Sequence, residues 1–216
     1  MIGEFFIIKY RILKLVGLNF SDKGEKILDI GCGDKPRYHK KISGKLVCFD
    51  IRKTKISHVV GNASSLPFKD NVFDGVISIN SFYYFNNPFE SAKEVSRVLK
   101  KNGIFFLITP FIYPTHDAPI DKYRFTEYGI NILLRDSFII KEVLPIGGIF
   151  NLPAVILHSL IKGARFIMPK SFKFISIPII ILIYPFYIAT QIFSLLDFIA
   201  TSRRWATHYF VLAVKK

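Results

Sequence analysis

At 216 residues the chain has room for one α/β domain with an extension, and not for two full domains. Thirty Lys and Arg against sixteen Asp and Glu leave a formal charge of +14, with half the residues hydrophobic. That balance draws a protein to polyanions, either anionic lipid headgroups or nucleic acid. Two cysteines, Cys32 and Cys48, are too few for a disulfide framework and read as reduced core thiols, and no zinc-ligand spacing is present.

The chain opens MIGEFFIIKYRILKLVGLNF, in which Phe5, Ile8, Ile12, Leu15 and Val16 recur near helical spacing among Lys9, Arg11 and Lys14. This predicts an amphipathic helix over 1–20, with two roles open: packing beside the first strand, or anchoring on a membrane surface. No small-residue cleavage site follows a polar region, so a cleaved secretory signal is not expected.

Next comes KILDIGCGD, Lys26–Asp34: a buried parallel strand followed by a tight glycine turn. Glycines there let the backbone approach a ligand. A dinucleotide fingerprint needs glycine at position 36, where this chain has Pro36. Asp29 stands two residues before Gly31 and suits a ligand carrying an ammonium group, which favours S-adenosylmethionine over NAD(P). The other reading of Asp29 is a turn carboxylate bonding local amides. Asp50 ends a second strand nineteen residues after Gly31, where a carboxylate can hold both ribose hydroxyls or merely cap the strand.

Strands are expected at 26–30, 46–50, 57–61, 73–79, 103–109, 138–145 and 208–215. Asn87-Pro88 starts a helix over Phe89–Leu99 with a stripe of Ala92, Val95, Val98 and Leu99, and Asn102-Gly103 closes that unit. A second helix is predicted from Thr126, its N-cap, to Arg135. Such alternation means a mostly parallel sheet with helices on both faces. Between the strand at 103–109 and that helix lies TPFIYPTHDAPIDKYRFT, Thr109–Thr126, a long aperiodic loop carrying His116, Asp117, Asp121, Tyr123 and Arg124. His116 is a candidate general base, and Arg124 a partner for a substrate phosphate or carboxylate. The alternative is an internal His–Asp–Arg network that pins the loop.

The segment 149–200 is apolar, and no charged residue occurs across the 23 positions Phe174–Leu196. That is long enough to span a bilayer, although Pro178 and Pro185 would kink it. A single crossing would leave the closing strand HYFVLAVKK on the wrong side of the membrane. The segment is therefore expected to be re-entrant or interfacial with a break near Pro185, or one arm of a hairpin whose other arm is Ile149–Met168, which carries Lys162 and Arg165. The soluble alternative is a hydrophobic lid or a dimer-forming helical pair. Basic clusters at Lys35–Lys45, Lys162–Lys173 and Arg203–Arg204 flank the apolar stretches, as anchoring at an anionic surface requires.

KILDIGCGD, CFDI, VVGNASSLPFKDNVFDGVIS and EVSRVLKKNGIFFLITP, in that order, resemble the class I S-adenosylmethionine-dependent methyltransferases of the type 11 kind, over residues 24–145 with the strand at 208–215. The resemblance implies a Rossmann-like α/β fold: a mostly parallel seven-stranded sheet with an antiparallel last strand and a hydrophobic helical insertion before it. The domains would be a helix at 1–20, a methyltransferase domain at 21–148 and 205–216, and a membrane-associated insertion at 149–204. It implies an S-adenosylmethionine site in which Asp29 takes the ammonium, Gly31, Cys32 and Gly33 pass the amino-acid part, and Asp50 with Ile51 holds the ribose. Asn62 and Ala63 would meet the adenine, with Asn62 replacing the commoner Asp, and Ser78, Ile79 and Asn80 would line the far side. Tyr84 departs from the histidine many relatives carry there. The loop resembles the "PFLYPxHxxPxDxxRxT" pattern of a subset in surface-glycan and lipid pathways, which points to His116, Asp121 and Arg124 as catalytic candidates.

What the resemblance implies is an enzyme O-methylating a lipid-linked, glycan or other hydrophobic acceptor at the cytoplasmic face of a membrane, with no metal. Methyl transfer needs little beyond alignment, so a base is not obligatory. RNA methylation is the enzymatic alternative, disfavoured by the uncharged segment and by SINSFYYF, which lacks an NPPY-type motif. A membrane-bound scaffold without activity is the third reading, opposed by the intact Asp29, Gly31, Gly33 and Asp50.

Overall fold

The computed structural model describes residues 6–34, 36–167, 173–199 and 202–216. The start of the expected first helix, Lys35 and residues 168–172 of the basic clusters, and residue 200 at the end of the apolar segment lie outside these. Two compact units are formed: Ile12–Phe111, Thr115–Leu144 and His208–Lys216 make one, and Met1–Arg11, Ile112–Pro114 and Pro145–Thr207 make the other.

The larger unit holds the sheet. Its strands are β1 (Lys26–Ile30), β2 (Lys45–Asp50), β3 (Val59–Val60), β4 (Phe73–Ile79), β5 (Leu99–Pro110), β6 (Phe138–Ile146, whose end passes into the second unit) and β7 (His208–Lys215). The order is β3-β2-β1-β4-β5-β7-β6. β3, β2, β1, β4 and β5 pair in parallel, and β7 runs antiparallel to β5, with Phe106 opposite Leu212. The chain turns one way from β1 to β2 and the other way to β4, so the carboxyl ends of β1 and β4 flank the crevice where such sheets bind ligands.

Successive residues of a strand face opposite sides, and β5 shows both sides covered. Phe105 packs on Phe82 and Phe138, at 5.8 and 5.5 Å between ring centroids, while Phe106 packs on Phe20 and Phe210, at 5.6 and 4.8 Å. All six are buried to within 2%. Phe20 follows α1 (Phe6–Asn19), and Val16 is also fully buried, so the end of this helix packs on the sheet. α2 (Pro88–Val98) starts where Asn87 accepts the Glu90 amide at 3.2 Å, and it buries Ala92, Val95 and Val98. α3 (Glu127–Leu134) is capped by Thr126, which accepts the Gly129 amide at 3.0 Å.

Three boundaries differ from expectation. β5 begins at Leu99 because Asn102 adopts a left-handed φ of 65° and the strand continues past it, with a register shift between Phe73 and Gly75 on β4. β3 keeps two residues, although His58 and Gly61 still donate to Cys48 and Asp50 of β2. The apolar segment is not broken at Pro185: α5 runs unbroken from Lys173 to Phe193.

In the second unit α4 (Leu152–Ile167) and α5 form a hairpin, with Phe150 against Phe193 at 4.9 Å and His158 against Tyr187 at 6.0 Å. Asp197 accepts the amides of Gly148 and Phe150 at 2.8 and 3.2 Å, and Arg11 donates to the carbonyls of Pro145 and Asp197. These bonds tie the residues just after α5 to those just before α4. Among the described residues one helical stretch, Ile181–Phe198, is long and apolar enough to cross a membrane, and 17% of it is buried. Ile181, Leu182, Phe186 and Ile192 are exposed on it.

Candidate active site

A cleft of about 740 Å³ opens at the crevice, within the size range of small-molecule sites. One wall is built by the turn after β1 and the end of β2: Gly31, Gly33, Asp50 and Ile51 line it, with Asn62 and Ala63 beyond. Asn80 and Ser81, after β4, form the opposite wall, and Tyr84, Asp117 and Lys122 stand at its outer part. The parallel register sets this arrangement, because β1, β2 and β4 end side by side.

The turn takes its shape from two left-handed glycines, Gly31 at φ +78° and Gly33 at +62°. A Cβ on Gly31 would lie 2.3 Å from Ser81 Cβ, whereas one on Gly33 would meet nothing within 4 Å. Ser81 is fixed in turn: its hydroxyl donates to the Ile30 carbonyl at 2.8 Å and meets Ser78 Oγ at 2.7 Å. Ser78 is fully buried beneath this contact and does not line the cleft. Asp50 accepts the amides of Gly33 and Arg52, both at 3.0 Å, one on each carboxylate oxygen. Each oxygen retains a second lone pair for a diol. Asn62 Oδ1 accepts the Ser64 amide at 3.0 Å, which fixes the orientation of its side-chain amide. Cys32 and Cys48 are both reduced and buried, and their mutual hydrogen bond, with burial, pushes the Cys32 thiol up.

Asp29 differs most from expectation. It is fully buried and absent from the cleft lining. Its Oδ2 is bound by the Tyr38 hydroxyl at 2.8 Å and by His39 Nε2 at 2.5 Å. These are side-chain partners, where sequence suggested a ligand ammonium or local amides. Burial pushes the Asp29 carboxyl up, against the pull of His39 and Tyr38. Its Oδ1 has no hydrogen-bond partner, and neither has the buried Oδ1 of Asn80. Buried acceptors are normally satisfied, so each has capacity for a donor. Such acceptors beside a glycine turn and the Asp50 carboxylate fit an aminoacyl nucleoside with a free ammonium and a ribose diol.

The loop after β5 brings His116, Asp121 and Arg124 together, behind the cleft lining rather than on it. Arg124 binds Asp121 with two parallel bonds of 2.5 and 2.7 Å, and its guanidinium holds that carboxyl below the ordinary range. Asp121, 1% exposed in its side chain, meets His116 Nδ1 at 3.1 Å and accepts the His116 amide at 3.1 Å. His116 Nε2 meets the hydroxyls of Tyr83 and Tyr84 at 3.1 and 3.0 Å. Tyr84 donates to Asp117 at 2.6 Å, and both line the cleft. Tyr83 and Lys122 are not among the sequence candidates, and Tyr84 and Asp117 are noted there without a catalytic role. The signal for the tyrosines was there, since SFYYF follows β4 and must converge with the loop after the adjacent β5.

The strand order and the glycine turn with its ribose-type carboxylate define a Rossmann-like methyltransferase fold. Residues 28–107 match the family described as a methyltransferase domain. An uncharacterized protein of Methanocaldococcus jannaschii is 38% identical over 99 residues, covering 42% of this chain and 39% of that protein. A ubiquinone/menaquinone biosynthesis C-methyltransferase of Haemophilus ducreyi is 31% identical over 132 residues, 51% of this chain and 50% of that one. Among solved structures, the [4+2]-cyclase SpnF superposes with a TM-score of 0.63 at 18% identity, covering 95% of this chain and 80% of its own. The chain spans about two fifths to half the length of these curated relatives. The stretch 28–107 is a methyltransferase domain, and S-adenosylmethionine is the methyl donor such a domain takes.

Asp50→Ala removes two backbone tethers and the carboxylate facing the ribose. Charge-assisted bonds of this kind are worth about 1.5–3 kcal/mol. S-adenosylhomocysteine affinity should fall about 10- to 100-fold by calorimetry, and an unchanged value would remove Asp50 from the site.

Proposed function

We propose that this protein moves a methyl group from S-adenosylmethionine onto an oxygen of a lipid-linked, glycan or other hydrophobic acceptor at the cytoplasmic face of a membrane. The observation that carries the oxygen acceptor is the Tyr84 hydroxyl on the cleft wall, within hydrogen-bond reach of His116 and Asp117. The bound donor supplies a sulfonium methyl, and the chain's own residues align the acceptor and take its proton. As the acceptor oxygen gains the methyl carbon, its O–H bond breaks. The Tyr84 hydroxyl, which donates to Asp117 at rest, turns to His116 Nε2 and passes its proton there as it receives the acceptor's. Asp121, locked by Arg124, keeps the imidazole ring oriented through Nδ1.

Support for the membrane comes from the hairpin. α5 is about 31 Å long at 1.5 Å per residue, and it exposes Leu182, Phe186 and Ile192. Both feet of the hairpin are bonded together through Asp197, Gly148 and Phe150, which suits a segment lying in the interface better than a single crossing. The net charge of +14 supplies attraction to anionic headgroups. Leu182→Glu with Phe186→Glu should weaken binding to phosphatidylglycerol vesicles about tenfold or more, since two buried apolar side chains are worth about 1.5–3 kcal/mol each. Flotation with unaltered partitioning would sink the hairpin as the anchor.

The acceptor is tested by incubating the protein with radiolabelled S-adenosylmethionine and membrane extract from a deletion strain. Label should enter the lipid or glycan fraction, and Asp50→Ala should suppress it. Label entering RNA would favour the alternative that the same positive charge supports, an RNA methyltransferase.

A further inference from the structure

Asp29 and His39 form a pair that the donor site read above does not account for. The carboxylate is fully buried, the imidazole is 19% exposed, and Nε2 lies 2.5 Å from Oδ2. The Tyr38 hydroxyl caps the same oxygen, its ring set edge-on to His39 at 5.0 Å. This leaves Oδ1, unpartnered, as the one atom of the carboxylate that can take a further donor. His39 reaches in from the short helical turn Arg37–Lys41, ten residues after Asp29, and so closes the back of the glycine turn.

Given that donor site, we infer that His39 shares a proton with Asp29 and thereby sets, with pH, how tightly the donor's ammonium group is held. With the shared proton present, the pair is neutral whichever partner carries it. An ammonium arriving at Oδ1 then meets an already compensated carboxylate. With the proton lost, the pair carries one negative charge in a buried site, and the same ammonium completes an ion pair. Affinity should therefore rise with pH. It should fall again only where the ligand's own α-amino group loses its proton.

Other titratable groups face the pair, and they do not replace it. Tyr38 is held well above its ordinary range by burial beside Asp29, so it stays a neutral donor. The Cys32 thiol is likewise pushed up. Asp50 on β2 adds negative charge toward Asp29. Cys48 on β2 is lowered by its hydrogen bond to Cys32 and by the charge of His39. Ionisation of Cys48 would act in the same direction as loss of the His39 proton, so the histidine itself has to be changed.

The test is calorimetric titration with two ligands between about pH 5.5 and 7.5. S-adenosylhomocysteine carries the ammonium; 5′-methylthioadenosine has the same nucleoside and sulfur without the amino acid. For the native protein, S-adenosylhomocysteine affinity should rise about tenfold over that interval, the difference between a neutral and a charge-assisted bond. Methylthioadenosine affinity should stay flat. In His39→Gln, which keeps a hydrogen-bond donor without the titration, the rise for S-adenosylhomocysteine should vanish. A rise that persists in His39→Gln, or that appears equally for methylthioadenosine, overturns the inference while leaving the donor site standing. If His39→Gln does not fold, Cys48→Ser is titrated in its place: the rise should persist without the thiol, and a rise that vanishes overturns the inference. Failure of both ligands to bind at every pH overturns the donor site itself.

Discussion

Gly31→Ala should lower the thermal midpoint by about 10 °C and bring S-adenosylhomocysteine binding below detection. The backbone at 31 is left-handed, which disfavours any Cβ by about 1–2 kcal/mol. Steric conflict then adds to this, because the new methyl would stand 2.3 Å from Ser81 Cβ and 2.6 Å from its Oγ. Ser81 cannot move away without breaking its bonds to the Ile30 carbonyl and to Ser78, both in the buried layer beneath the cleft. Leaving a buried polar group unsatisfied costs about 1–3 kcal/mol. The sum is about 2–5 kcal/mol, and a domain of this size loses about 2–4 °C per kcal/mol. Gly33→Ala is the internal comparison: φ is also positive, but no atom lies within 4 Å of the new Cβ. It should cost only the backbone term in stability, while its methyl, on the cleft wall, obstructs the ligand. Adding Ser81→Gly to Gly31→Ala should recover part of the lost stability by removing the clash. Melting within 2 °C of the native protein for Gly31→Ala, a scale set by about 1 kcal/mol, would mean that Ser81 is not the fixed wall described.

The parts of this site that sequence exposes are those whose chemistry is local. β1 reads as a strand because a parallel strand buried on both faces is a continuous apolar run, and the turn reads as a ligand cradle because its glycines and Asp29 are neighbours. Asp50 is legible through its spacing from Gly31. His116, Asp121 and Arg124 are conspicuous as types in an aperiodic loop. Their outlet to the cleft is not, because Tyr84 lies 32 residues earlier and becomes a neighbour of His116 only through the pairing of β4 with β5. Likewise nothing local in KILDIGCGD announces that Asp29 is held by Tyr38 and His39. Two boundary errors share one cause: a residue type was read without its context. Asn102-Gly103 looks like a turn, but asparagine tolerates the left-handed φ that lets β5 start earlier. Pro185 looks like a break, but the Ile/Leu/Phe/Tyr run around it offers the helix no turn residue at which to stop, and losing one hydrogen bond does not end it.

His116→Gln should lower kcat about 10²–10⁴-fold, the ordinary worth of a positioned base, with little change in donor affinity because the glycine turn and Asp50 are untouched. Tyr84→Phe should produce a loss of similar size, since His116 stands behind the cleft lining and Tyr84 is its link to it. The double variant should be no worse than either single one, because residues acting in series do not contribute independently. The pH profile separates this from a loop that is merely pinned. In the native protein kcat should rise with pH and then level off, and His116→Gln should lose that limb. Two neighbours cannot supply the limb in its place. His208, buried on β7 near Arg124 and His116, is pushed down to about 3 and stays neutral throughout the assay range. Asp121 is held below the ordinary carboxylate range, so the stability it contributes is present above that range and is lost only as pH falls through its lowered value. The Arg124–Asp121–His116 arrangement therefore persists from pH 6 to 9, about two units or more above any carboxylate of this kind. If His116 only pins the loop, His116→Gln should lower the thermal midpoint while kcat keeps its native pH limb. If it takes the proton, the limb disappears even where the midpoint is unchanged, and Tyr84→Phe reproduces that loss with the histidine still in place.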